Sequence, residues 1–109
     1  MLKVMKNNIL DLAIQSHKEK KIEKAISLYK KFIASNPENS EAIFNLATLY
    51  LHSNDHKNAL DFFFKFIKIN PNNSNVYNDI GLIYYQNKEL DKALHNINKS
   101  IELNPHNDN

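Results

Sequence analysis

Histidine is the residue of this chain with the most chemistry to offer, because imidazole can bind metals and exchange protons near neutral pH. His52 and His56 are four residues apart, a spacing that binds zinc when both histidines lie on one helix. A polar turn is predicted between them at Asn54–Asp55, and no carboxylate motif accompanies the pair. His17 and His95 are isolated in the sequence. We therefore expect no metal site.

Other reactive groups also lack a catalytic setting. Glu89 and Asp91 fall at a predicted helix start, where the helix dipole stabilises negative charge. The single glycine excludes a glycine-rich phosphate loop, and the absence of cysteine excludes disulfides and thiolate metal sites. No serine lies in a nucleophile-elbow context. The sequence predicts a protein that is not an enzyme, with no catalytic residues, cofactor or metal.

The charge distribution argues against a nucleic-acid partner. The net charge is +2, arginine is absent, and the lysine cluster "HKEKKIEK" has no interleaved aromatic residues. Residues 1–35 carry a net charge of +5, whereas residues 74–109 carry −2. No apolar run approaches the roughly 18 residues that a membrane span needs, and "MLKVMKNNIL" lacks the pattern of a secretory signal. We expect a cytoplasmic protein without membrane partners.

The three prolines reveal how the chain is built. Pro37, Pro71 and Pro105 are spaced by 34 residues, and each stands between two asparagines in the pattern Asn-Pro-x-Asn. Small residues recur at the same interval at 13, 47 and 81, and again at 25, 59 and 93. A fixed period of this length indicates an internal repeat. The blocks are 6–39, 40–73 and 74–107, with flanking tails at 1–5 and 108–109.

Each block is predicted to form a helix, a turn and a second helix. Ile43, Leu46, Ala47 and Tyr50 share one helical face by their spacing. The polar stretch "HSNDHK" follows as a turn, with Asp55 as the expected N-cap of the next helix. The paired small residues should face each other across the turn and let the two helix backbones approach closely.

Proline ends each hairpin. It disfavours the α conformation at the preceding residue and has no backbone donor. Helices should therefore end at Asn36, Asn70 and Asn104. The next helix can be capped by Asn39 or Ser40, and the third hairpin by Asn73 or Ser74; the sequence leaves this choice open.

The pattern resembles the tetratricopeptide repeat. That family has a 34-residue period with Trp-x₂-Leu-Gly-x₂-Tyr, then Ala-x₃-Phe, then Pro. The second block matches at Ile43, Leu46, Ala47, Tyr50, Ala59, Phe63 and Pro71, and the other blocks match in the same phase. Tryptophan is missing throughout, and the glycine usual at the helix–helix turn is replaced by Lys20, Asn54 and Lys88.

The resemblance implies an all-α fold, an α-solenoid in which three helix-turn-helix hairpins of six helices form a right-handed superhelix. Residues 1–109 would form a single domain. In this family the first helix of each repeat lines a concave surface that binds a peptide or a partner helix. The chain is thus expected to be a scaffold for protein interactions.

Transferred by position, the surface-lining residues come from all three blocks. They are Leu10, Asp11, Ile14 and His17 from the first block, Phe44, Asn45, Thr48 and His52 from the second, and Asn78, Asp79, Leu82, Tyr85 and Gln86 from the third. The alternative interpretation is that these are merely solvated helix faces.

One subfamily clamps the C-terminal carboxylate of a chaperone tail. The corresponding positions here are Leu10, Ile14, Asn45, Asn75 and Asp79, of which only Asn45 fits. Asp79 would repel a carboxylate. The resemblance therefore favours a neutral or basic ligand over a chaperone tail.

The last predicted helix offers an alternative function. Leu94, Ile97 and Ile101 form an apolar stripe that a further helix would normally cover. A second copy of the chain could cover it, which would make the protein a self-associating structural unit. Alternatively the stripe is solvated, or the chain is a piece of a longer array.

Overall fold

The computed structural model describes residues 2–105, with side chains from Ile9 onward. The described residues form six α-helices and no strand, as the repeat predicts. They are α1 (Leu2–Lys18), α2 (Ile22–Ser35), α3 (Ser40–His52), α4 (His56–Ile69), α5 (Ser74–Gln86) and α6 (Leu90–Leu103). Helix α1 begins within the predicted 1–5 tail, whereas Met1, His106 and the 108–109 tail lie outside the described residues.

The helices group into two compact units. Met1–Phe62 holds α1, α2, α3 and the first half of α4, and Phe63–Asn109 holds the rest of α4 with α5 and α6. In the first unit α2 packs against both α1 and α3, and in the second α5 packs against α6. We call them the N-terminal unit and the C-terminal unit.

Asparagine and aspartate side chains set the helix starts. The side-chain oxygen of Asn39 accepts a hydrogen bond from the Ala42 amide at 3.0 Å, and that of Asn73 accepts one from the Val76 amide at 3.2 Å. Asparagine is thus the N-cap at both sites, which the sequence could not decide. Asp55 Oδ1 accepts a bond from the Asn58 amide at 3.3 Å, which confirms its predicted capping role.

The tight turns inside the hairpins place three residues in the left-handed region. Lys20, Asn54 and Lys88 have φ angles of 61°, 62° and 64°. These are the positions where the sequence carries something other than glycine. A Cβ atom makes this conformation costly, although asparagine tolerates it better than lysine does. The two lysine turns therefore hold strain that the asparagine turn largely avoids.

Relieving this strain should stabilise the protein. We expect Lys20→Gly and Lys88→Gly each to raise the free energy of unfolding by about 0.5–1 kcal/mol, because relief of strain exceeds the entropy that glycine adds to the unfolded chain. Asn54→Gly, the matched control, should gain less. Urea unfolding with unchanged m-values measures the difference. An equal or larger gain at Asn54 would contradict this explanation.

Small residues bring the hairpin helices together, as predicted. A Cβ atom added to Gly81 would lie 2.7 Å from Ile97 Cγ1 and 3.2 Å from the Ala93 carbonyl oxygen. Helix α6 therefore crosses α5 where α5 has no side chain. Ala13, Ala25, Ala47 and Ala59 are completely buried, as expected for the corresponding contacts of the other hairpins.

The core follows the 34-residue period. Leu46 and Ile80 are 0% exposed, and Tyr29 and Phe63 are at most 1% exposed. Leu12 occupies the same repeat position as Leu46 and Ile80, yet it is 45% exposed. The difference arises because, among the described helices, α1 packs mainly on its hairpin partner, whereas α3 also packs on the preceding helix.

Candidate functional site

The hydroxyl of Tyr29 links three helices of the N-terminal unit. Tyr29 lies on α2 and is buried, and its hydroxyl oxygen is 3.3 Å from His17 Nδ1 on α1. The two rings meet edge to face, with centroids 6.0 Å apart. The side chain of Asn45 on α3 lies close enough to the same hydroxyl to lower its pKa. We call His17, Tyr29 and Asn45 the Tyr29 cluster.

Two side chains of this cluster, His17 and Tyr29, have shifted pKa values. Burial, and then the charge of His52, lower the pKa of His17 below its usual value, so its imidazole is neutral at pH 7. Burial raises the pKa of Tyr29, and the nearby Asn45 side chain opposes that shift. Tyr29 Oη and His17 Nδ1 are 3.3 Å apart, and the histidine tautomer sets which of them donates. The second ring nitrogen of an imidazole and the donor and acceptor groups of an amide give His17 and Asn45 further capacity to bind a ligand.

Other predicted residues of the N-terminal unit surround this cluster on α1 and α3. Asp11 and His52 are exposed; Leu10, Ile14, Phe44 and Thr48 are partly buried. The Thr48 hydroxyl oxygen is shielded from solvent and has no hydrogen-bond partner among the described residues. The charge of His52 reaches His17, so these two predicted residues are neighbours in space.

The remaining predicted residues all lie on α5 of the C-terminal unit. Leu82 and Tyr85 are exposed and apolar in character, Asn78 and Gln86 are exposed and polar, and Asp79 is partly buried. This helix therefore presents a mixed surface with two large apolar contacts.

A separate cleft lies on the C-terminal unit. It has a volume of about 480 Å³ and is walled by Phe64 and Ile67 of α4, Tyr77 and Tyr84 of α5, and α6. The ammonium groups of Lys92 and Lys99 lie 5.5 Å and 6.0 Å from the ring centres of Tyr84 and Tyr77. None of the residues predicted to line the binding surface belongs to it.

The positions of the helix ends argue against a metal site at His52 and His56. Helix α3 ends at His52 and α4 begins at His56, so the pair does not share a helix. Among the described residues, no three potential metal-ligating side chains gather in one place. Nor is any described helix both long and apolar enough to cross a lipid bilayer.

Tyr29 is the residue whose role sequence reasoning missed. The period assigned it to the apolar core, where its equivalents are Phe63 and Ile97. The available signal was that only this one of the three carries a hydroxyl, and a buried tyrosine hydroxyl requires a partner. Histidine and asparagine at the predicted surface positions were the partners to look for.

The shifted His17 makes stability depend on pH. Because its folded pKa lies below the value near 6.5 of the unfolded chain, the unfolded state binds the proton more readily. The contribution of His17 is fully present above the unfolded pKa and is lost as the pH falls through the folded pKa. Urea unfolding should therefore show a stability loss below about pH 6.5 that is smaller in His17→Gln. His52→Gln should reduce the loss in part. An identical pH dependence in wild type and His17→Gln would refute this assignment.

Sequence and structure comparisons decide the family. Residues 18–99 match the model of the family described as anaphase-promoting complex, cyclosome, subunit 3, whose repeats are of the tetratricopeptide type. The chain belongs to this family of tetratricopeptide-repeat proteins. The prediction made from the 34-residue period is thereby confirmed.

Solved structures show the same tetratricopeptide-repeat fold. A MamA structure aligns with a TM-score of 0.86 and 20% identity over 94% of this chain. MamA from Desulfovibrio magneticus RS-1 aligns with a TM-score of 0.83 and 19% identity over 92% of it. This chain spans 56% of each MamA chain.

A third similar structure contains a peptide ligand. The first tetratricopeptide-repeat domain of Spaghetti (RPAP3), bound to the HSP90 peptide SRMEEVD, aligns with a TM-score of 0.83 and 20% identity, over 94% of this chain and 82% of that one. No curated protein sequence matches the chain. The fold is an all-α helical-repeat solenoid, and proteins with it are typically non-catalytic modules for protein interaction.

Proposed function

We propose that this protein is a non-catalytic interaction module that binds an extended protein segment on the surface of α1 and α3. The observation that carries the proposal is the Tyr29 cluster. Its hydroxyl contacts His17 of α1 and lies close to Asn45 of α3, and in this proposal it orients both side chains. Fixed polar groups lose little entropy on binding, which favours affinity.

The free groups of the cluster suit a peptide backbone. The free ring nitrogen of an imidazole donates or accepts according to its tautomer, and the side-chain amide of Asn45 does both. A peptide segment offers one acceptor and one donor per residue, so the pair complements an extended chain. Phe44, next to Asn45 and partly exposed, supplies an apolar contact for a ligand side chain.

The charge of the surface indicates the kind of segment. The RPAP3 domain binds a peptide that ends in Glu-Val-Asp, but the residues here do not reproduce a carboxylate clamp. Leu10 and Ile14 are apolar, and Asp11 is exposed beside them. We propose a neutral or basic segment with an apolar side chain as the ligand.

The exposed residues of α5 provide a second contact surface in this proposal. Leu82 and Tyr85 are large and exposed, and Asp79 adds a negative charge. A partner helix or peptide would contact them through apolar side chains and a basic group. We also propose that the three repeats act together as one scaffold domain in the cytoplasm, as the sequence predicts.

Selection from a displayed library of random peptides tests the function. We expect enrichment of neutral or basic peptides that contain an aromatic or aliphatic residue. The peptide SRMEEVD, tested in parallel, should bind far more weakly than the enriched peptides. A library that yields no peptide binding to the wild-type protein, or only acidic C-terminal sequences, would contradict the proposal.

Self-association is a second candidate function, favoured by a separate observation. Leu94 and Ile101 of α6 are 60% and 55% exposed, which is unusual for large aliphatic side chains at repeat positions. Ile97, between them, is partly buried. We propose that another molecule of the same chain covers this stripe.

A further inference from the structure

Helix α1 exposes residues whose equivalents in the later repeats are buried. Leu12 is 45% exposed, although Leu46 and Ile80 at the same repeat position are 0% exposed. Gln15 is exposed where Leu49 and Ile83 are buried. Helix α3 packs on the preceding helix α2, whereas α1 packs mainly on α2, its own hairpin partner. The exposed surface at Leu12 and Gln15, the head face, therefore corresponds to the surface that a preceding second helix covers.

Helix α6 likewise exposes residues whose equivalents in the earlier repeats are more buried. Its repeat positions match those of α2, which packs on both α1 and α3. Ile101 is 55% exposed, whereas its equivalents Ile33 and Ile67 are less exposed. Ile97 is partly exposed, although its equivalent Phe63 is 0% exposed. We call the surface formed by Leu94, Ile97 and Ile101 the tail face.

We propose that the tail face of one molecule packs on the head face of a second molecule, so that the contact between α2 and α3 is repeated between chains. This inference rests on the self-association proposed above and adds to it the surface that α6 meets. Because the two faces differ, the contact is heterologous and each dimer retains one free face of each kind. Association therefore continues beyond the dimer.

The charge distribution favours this pairing over symmetric ones. Residues 1–35 carry a net charge of +5 and residues 74–109 a net charge of −2. Head-to-tail contact brings opposite charges together, whereas head-to-head or tail-to-tail contact brings like charges together. The attraction is screened by salt, so the association should weaken as ionic strength rises.

Two blocked variants and their mixture test the pairing by sedimentation velocity. Leu12→Glu blocks the head face and Ile101→Glu blocks the tail face. Both replaced side chains are about half exposed, so the fold should tolerate the change, and circular dichroism verifies it. Ser27→Glu adds the same charge at an exposed site of α2 and serves as the control.

The expected result has three parts. The wild type and Ser27→Glu should form species larger than a dimer as concentration rises from micromolar to millimolar. Each blocked variant alone should remain a monomer. An equimolar mixture of the two should stop at a dimer, because only one productive pair of faces remains.

Two other results would overturn the inference and are distinguishable. A wild-type chain that stays monomeric at millimolar concentration contradicts both self-association and the head-to-tail pairing. A Leu12→Glu variant that still dimerises, when Ile101→Glu does not, would mean that two tail faces pair. That result would support self-association and contradict the head-to-tail pairing.

Discussion

Replacing Phe63 with alanine should lower the free energy of unfolding by about 3–5 kcal/mol, the range for a fully buried phenylalanine. Phe63 is 0% exposed and stands at the repeat position that carries the core aromatic residue. Loss of its ring leaves a cavity at a site that solvent does not reach. Domains of this size have only about 5–15 kcal/mol in total. We expect the thermal midpoint to fall by about 12–30 °C.

The neighbouring residue is a matched control for this prediction. Phe64 has the same side chain on the same helix, but it is 38% exposed. Phe64→Ala should cost about 1 kcal/mol or less, because most of the lost surface is already in contact with water. Thermal and urea unfolding of both variants provide the comparison. Equal losses at the two sites would mean that the 34-residue period does not define the core.

Removing the apolar contact of the proposed peptide site should nearly abolish binding. We expect Phe44→Ala to weaken binding of a library-selected peptide by about 30-fold, which corresponds to a hot-spot loss of about 2 kcal/mol. Phe44 precedes Asn45 on α3, so its ring would lie beside the backbone contact. Isothermal titration with one selected peptide measures the change.

Tyr29→Phe tests whether the hydroxyl contributes to binding by orienting polar groups, because the variant keeps the packing of the aromatic ring. The variant removes only the hydroxyl, and phenylalanine already occupies the equivalent position at Phe63. We expect roughly fivefold weaker binding, because removal of the hydroxyl beside His17 and Asn45 costs about 1 kcal/mol. Leu90→Ala removes an exposed leucine from α6 and should leave binding unchanged. Equal affinity of wild type, Phe44→Ala and Tyr29→Phe would exclude the α1–α3 surface as the binding site.

The backbone could be predicted from the sequence because its signals are local. Proline after asparagine ends a helix through local effects alone, and the second helix of each repeat indeed ends next to Asn36, Asn70 or Asn104. The left-handed turns were also readable, since the repeat normally has glycine where Lys20 and Lys88 stand. These features depend on a few neighbouring residues and recur three times, so that one weak signal supports another.

Contacts between helices were less predictable. The choice of Asn39 over Ser40 as N-cap depends on a shift of one residue, which periodicity does not determine. The packing of Ile97 against Gly81 depends on how closely two helices approach. The sequence analysis grouped Ile97 with Leu94 and Ile101 as one exposed stripe, although it is more buried than either.

The candidate site, too, could be predicted from the sequence only in part. The predicted surface residues His17, Asn45 and His52 were selected by position, and the structure brings them together in the N-terminal unit. Their organisation depends on Tyr29, which the repeat pattern places in the core. Only the fold shows that a core hydroxyl reaches two surface side chains.

Mapping a bound peptide by amide chemical shifts tests the central claim most directly. A library-selected peptide titrated into isotopically labelled protein should produce its largest shift changes in α1 and α3, with His17 and Asn45 among the affected residues and α6 unaffected. Changes confined to α6, or to the cleft walled by Tyr77 and Tyr84, with none in α1 and α3, would contradict the claim that the Tyr29 cluster organises the binding surface.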